Sequence, residues 1–112
     1  MSRRAPAGPW PAPETAYANA PSIVSEIGWT ARTARTIATG SYDAVSEREF
    51  WLRKAGLLDR IALSDGADNA TSDAADLATR AAQRLMELDG AVVICDPRHY
   101  LRQQYAHWAK DQ

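Results

Sequence analysis

Apolar side chains between residues 46 and 88 recur at intervals of three and four, in two runs that each end at Asp-Gly. That spacing is the period of an α-helix, not of a strand. Winding residues 46–64 at 100° per residue puts Leu57, Phe50, Ile61, Leu58, Trp51, Ala62 and Ala55 on one broad face, with Glu49, Arg53 and Arg60 opposite. Glu49 and Arg53 stand four apart, in the order that favours an ion pair. Ser46 and Glu49 have the spacing of a capping box, which predicts the helix start at Ser46. Asp65-Gly66 supplies the stop.

The second run predicts a helix over 72–88. Leu77, Leu88, Ala81, Ala74, Leu85, Ala78, Ala82 and Met86 form its inner face, and Asp76, Arg80, Gln83, Arg84 and Glu87 its wet face. Asp73 and Asp76 lie near its amino end, where the helix dipole favours them. Asp89-Gly90 ends it. One helix is bulky and the other is small, which suits close antiparallel packing as a hairpin. The short apolar run Ala91–Cys95 reads equally as a single strand or a buried connector. Asp96-Pro97 then opens a last helix, with an N-cap Asp and Pro at the first helical position. Its inner stripe is Pro97, Leu101, Tyr105, Trp108 and Ala109.

The expected fold class is therefore all-α: a small bundle of about four helices built around the 46–64/72–88 antiparallel hairpin. Five of the six prolines fall within residues 1–21, with Ala, Gly and Ser in the gaps. Such a stretch has little to bury, so 1–21 reads as a disordered arm and 22–112 as a single helical domain. Trp10, between Pro9 and Pro11, reads either as a solvated aromatic or as a short docking element.

Residues 22–39 read SIVSEIGWTARTARTIAT. As one helix, the inner face is Ile23, Val24, Ile27, Ala34, Ile37 and Ala38, but Gly28 then sits mid-helix and Trp29 on the polar side. A break at Gly28 turns Trp29 inward and makes Thr30 a cap. With that break, the run Ile23, Val24, Gly28, Trp29, Thr30, Ala34, Ile37 resembles a helix-turn-helix. The resemblance implies that Arg32, Thr33, Arg35 and Thr36 face DNA, with Arg reaching guanine or phosphate and Thr reaching phosphate or a thymine methyl. Both readings of 22–39 stay open on sequence alone. Most basic residues here are Arg and Ala is abundant, the bias of a GC-rich coding sequence, so Arg abundance by itself carries no argument about phosphate.

Two further stretches, EFWLRKAGLLDRIAL (49–63) and DPRHYLRQQYAHW (96–108), resemble a set of short helical proteins of high-GC actinobacteria. The resemblance implies that the 46–64 helix and the last helix belong to one domain. It brings no activity, cofactor or site.

Thirteen basic and fourteen acidic residues nearly cancel, which argues against a general polyanion binder. The single cysteine, Cys95, excludes an internal disulfide. No apolar run reaches the roughly 20 residues a membrane span needs. Arg3 and Arg4 have no apolar stretch behind them, so the expectation is a cytoplasmic protein with no membrane association. His99 and His107, eight apart on one helix, are separated by about 12 Å and cannot share a metal ion. Cys95 reads as a small buried hydrophobe. Lys54 sits in the row of Phe50, Leu57 and Ile61, where its stem covers apolar surface while the ammonium reaches water. No catalytic constellation, cofactor loop or metal set is expected. The leading expectation is a non-enzymatic protein that acts by protein–protein interaction, with a homodimer as one form of it. Leu52 and Leu63, on the back of the 46–64 helix, are candidates for that surface. The alternative is a DNA-binding regulator using residues 30–37.

Overall fold

The computed structural model describes residues 10–40, 43–64, 73–92 and 95–112. It contains α1 (Pro13–Ala16), α2 (Ile23–Ala38), α3 (Ala44–Ser64), α4 (Asp73–Asp89) and α5 (Pro97–Lys110), and no strand among the described residues. The protein is an all-α bundle, and α3 is its centre. α2, α4 and α5 all pack on α3, while α1 lies against α5.

The α3–α4 hairpin is antiparallel. Arg84 near the end of α4 reaches Glu47 at the start of α3, and Arg48 holds Asp89. α4 contributes Ala75, Ala78, Ala81, Ala82 and Leu85 to the interior. These small side chains let the two helices approach closely. Leu77, expected inside, is exposed, because the buried stripe is centred on Ala78 and Ala82. Gly90 ends α4 with a φ of 64°, a left-handed conformation that suits glycine. The Gly90 amide donates to the Glu87 carbonyl and the Ala91 amide to the Met86 carbonyl, a Schellman close. Asp96 caps α5 by accepting from the Arg98 amide at 2.9 Å. The start of α3 differs from expectation: Asp43, not Ser46, is the capping side chain, and it accepts from the Ser46 amide at 2.8 Å. The Asp65-Gly66 stop lies outside the described residues, as do Val93 and Ile94 of the apolar run, whose Val92 is exposed.

α3 has no wet back. Phe50, Leu52, Ala55, Gly56, Leu57, Asp59 and Ala62 are all buried, because helices cover it on three sides. Leu52 is therefore no surface residue. It is 0 % exposed, in one core cluster with Leu85, Leu101 and Tyr105. Leu63 does remain exposed. Gly56 leaves room for α5: a Cβ there would lie 2.6 Å from the Tyr105 ring.

One further expectation is corrected, and the structure decides between the two readings of 22–39. Residues 10–21 are no disordered arm. Trp10, Tyr17 and Ala20 pack on the core, and α1 buries Ala16. The Tyr17 hydroxyl donates to Asp59 at 2.6 Å, which ties this segment to α3. Residues 1–9 lie outside the described residues. The break at Gly28 is also absent. α2 runs unbroken from Ile23 to Ala38, with Ser22 accepting from the Ser25 amide as its cap. A helical glycine costs up to about 1 kcal/mol against alanine. A Cβ at Gly28 would meet only the mobile end of Arg32, at 3.2 Å. Gly28→Ala should accordingly raise stability by up to about 1 kcal/mol in denaturant titrations. A loss of stability would mean that Gly28 occupies a turn.

Candidate interaction surface

The orientation of α2 is decided by one buried carboxylate. Glu26 is 1 % exposed, and the Arg53 guanidinium donates to both of its oxygens. Arg53 also donates to Glu49 at 3.0 Å, so one guanidinium serves two carboxylates. The same group lies 3.6 Å from the centre of the Trp29 ring and 5.0 Å from that of Trp108. A guanidinium stacks on aromatic faces while its edge donates in plane, which makes Arg suited to this position. Arg60 adds a bond to the Pro21 carbonyl at 2.8 Å. These contacts run α2 antiparallel to α3.

With Glu26 and Trp29 turned inward, the helical period sends other residues out. The inward face is Glu26, Trp29, Thr30, Thr33 and Ile37, roughly a quarter turn from the all-apolar face read in the sequence. Val24 is 80 % exposed and Ile27 49 %. Ala31, Ala34 and Ala38 are exposed as well. These five alternate by three and four along the whole of α2, a continuous apolar stripe about 20 Å long. Among the described elements α2 touches only α3, so none covers the stripe.

The four residues proposed to face DNA divide. Arg32, Arg35 and Thr36 are exposed, and Thr33 is half-buried on the side of α3. The Thr36 hydroxyl donates back to the Arg32 carbonyl at 3.3 Å. Arg32 and Arg35 make no ion pair among the described residues. The only carboxylate of α2 is the buried Glu26, so its outer surface is purely basic.

Two other polar clusters hold the bundle. Asp59 is 0 % exposed, and its two oxygens accept from Arg98, Arg102 and Tyr17 at 2.6–2.9 Å. Burial alone would raise the Asp59 pKa. The bonds from Arg102 and Tyr17 and the charges of both arginines outweigh it, and the pKa is lowered. Burial, then the Asp59 charge, push Tyr17 well above the usual phenol range. A carboxylate satisfied in this way is a clamp joining α1, α3 and α5. Asp89 does the same for α3, α4 and α5, accepting from Arg48 at 2.6 and 3.0 Å and from Tyr100 at 2.7 Å. Burial and the Asp89 bond push Tyr100 up to about 12.

Nothing in the local pattern marks Glu26 or Arg102 as buried polar residues. A signal existed for Asp59, which stands seven after Leu52 and four after Ala55, inside the apolar row. Lys54 lies where expected, half-buried with its Nζ 5.5 Å from Phe50 and 5.0 Å from Trp51. His99 stacks loosely on Trp10 at 6.4 Å. His107 and Lys110 edge an open groove of about 620 Å³ between α1 and α5, floored by Trp10, Ala16 and Ala109. No helix among the described residues is long and apolar enough to cross a membrane. No protein-family model, curated protein or solved structure matches the chain.

Proposed function

We propose that this chain is a non-enzymatic helical module that works by binding another protein on the outer face of α2. The observation that carries this reading is the stripe Val24, Ile27, Ala31, Ala34 and Ala38, which is solvent-facing along a helix anchored on its opposite side. Scattered exposed apolar residues need no explanation, but a contiguous row at seam spacing is what helix-in-groove and coiled-coil contacts use. The anchor supports the same reading: Glu26, Arg53, Trp29 and Trp108 hold α2 rigidly, so little ordering entropy opposes docking. Leu63 lines a shallow pocket with Pro13, Tyr17 and Arg60, none of them in the stripe, and the buried Leu52 plays no part in it.

A photo-crosslinking amino acid placed at Ala31 or Ala34 of the full chain, in the producing cells, tests the proposal. Discrete protein adducts are expected from both positions and from neither Gln83 nor Glu87 on α4. Val24→Asp with Ile27→Asp should remove the adducts while leaving stability within about 0.5 kcal/mol, since both side chains are exposed. Adducts that form equally from α4, or that survive the double substitution, would refute it.

The second reading is DNA binding. Its support is the outward pair Arg32 and Arg35 on a helix without an exposed carboxylate. A straight helix fits a major groove. It predicts duplex binding that weakens steeply with salt and with Arg32→Ala or Arg35→Ala.

A further inference from the structure

We infer that the partner taken up by α2 is an acidic amphipathic helix. This inference rests on the interaction face proposed above and adds the chemistry of what occupies it. The stripe is narrow, with residues alternating by three and four, so a second helix lying along it makes the best use of its length. Three of its five residues are Ala, which allows the two backbones to approach closely. Val24 and Ile27 supply the bulk at one end.

Charge selects among helices. Winding α2 puts Arg32 and Arg35 on one flank of the stripe, the flank turned away from α3. The carboxylate that might have neutralised them, Glu26, is buried and bound to Arg53. Glu49, the other carboxylate of that cluster, is bound to Arg53 too. Arg32 lies back over Gly28, where the missing Cβ gives its guanidinium room beside the stripe. A partner helix therefore meets two unmatched positive charges along one edge of an apolar seam. Acidic residues flanking the partner's own apolar stripe complement them. Basic ones are repelled.

The test uses synthetic helices of roughly 20 residues. One carries Leu along its apolar stripe and Glu on the flanks, and the other has Lys in place of Glu. Both are fluorescently labelled and titrated with the full chain at low salt, with a duplex DNA of similar length as a third arm and sedimentation for self-association. The Glu helix is expected to bind about ten-fold tighter than the Lys helix, with the gap closing as salt rises. Arg32→Glu with Arg35→Glu should invert the preference, and Val24→Asp with Ile27→Asp should abolish binding of either peptide. All four residues are exposed, and circular dichroism checks that the variants stay folded.

Equal binding of both peptides, still lost with Val24→Asp and Ile27→Asp, would overturn the acidic partner and leave the interaction face standing. Self-association lost in that variant, without peptide binding, would do the same and make a second copy the occupant. Duplex binding through Arg32 and Arg35 without peptide binding would overturn it in favour of nucleic acid. No binding in any arm would remove both the partner and the face.

Discussion

Asp59→Asn should lower stability by about 3–5 kcal/mol, a large share of the roughly 5–15 kcal/mol that keeps a domain folded. Asp59 is 0 % exposed and is the shared acceptor for Arg98, Arg102 and Tyr17. The amide removes the charge and half the acceptor capacity, and leaves two guanidinium groups packed around a neutral group. Those groups desolvate at a cost that the carboxylate previously offset. Loss of the Tyr17 bond should also loosen α1 from α3, so near-ultraviolet signals from Trp10 and Tyr17 should change before far-ultraviolet signals do. The double variant Asp59→Leu with Arg102→Met should be less harmful than Asp59→Leu alone, because it removes the more deeply buried of the two guanidinium charges together with the carboxylate.

The same cluster sets a pH limit. The Asp59 and Asp89 pKa values are both lowered in the folded state, so the unfolded chain binds protons more readily. Their stabilisation is complete above the ordinary carboxylate value near 4 and is lost as pH falls through the lower folded values. Thermal midpoints should be flat from about pH 7 to 5 and fall below about pH 4, with Asp59→Asn flattening that fall.

Gly56→Ala is the second large effect. Alanine normally strengthens a helix by up to about 1 kcal/mol. Here the added Cβ would lie 2.6 and 2.7 Å from two carbons of the Tyr105 ring. That ring is fully buried, packed edge-on against Tyr17 at 4.9 Å and Trp108 at 5.2 Å, so it has nowhere to retreat. Overpacking of this kind costs about 1–3 kcal/mol. The net expectation is a loss of about 1–2 kcal/mol in urea titrations, opposite in sign to Gly28→Ala. The contrast between two helical glycines isolates tertiary contact from helix propensity.

What the sequence made legible was local. The helices over 46–64 and 72–88 and the one opened by Asp96-Pro97 are present, and Gly90 closes α4 as its position implied. Each of those signals acts within a few residues. Where the structure departs from the sequence pattern over a longer range, the cause is a partner far away in the chain. Tyr17 orders a proline-rich segment by a bond to a residue 42 positions on. Glu26 faces inward because Arg53, 27 positions on, supplies its charge. An acidic residue reads as a wet-face marker until that partner is known, so the apolar pattern of α2 points a quarter turn away from the face it buries. Leu52, on the back of the 46–64 helix, needs cover from flanking helices or from a second subunit, and α4 and α5 supply it. The apolar stripe of α2 was visible as residues, and its exposure was not.

A titration of isotope-labelled full chain, followed amide by amide with NMR, addresses the interaction face most directly. On adding the Glu-flanked helix, the expected shifts run along Val24, Ile27, Ala31, Ala34 and Ala38 and at Arg32 and Arg35, with α4 unmoved. Shifts confined to the groove between α1 and α5, or no shifts at all, would contradict the role given to α2.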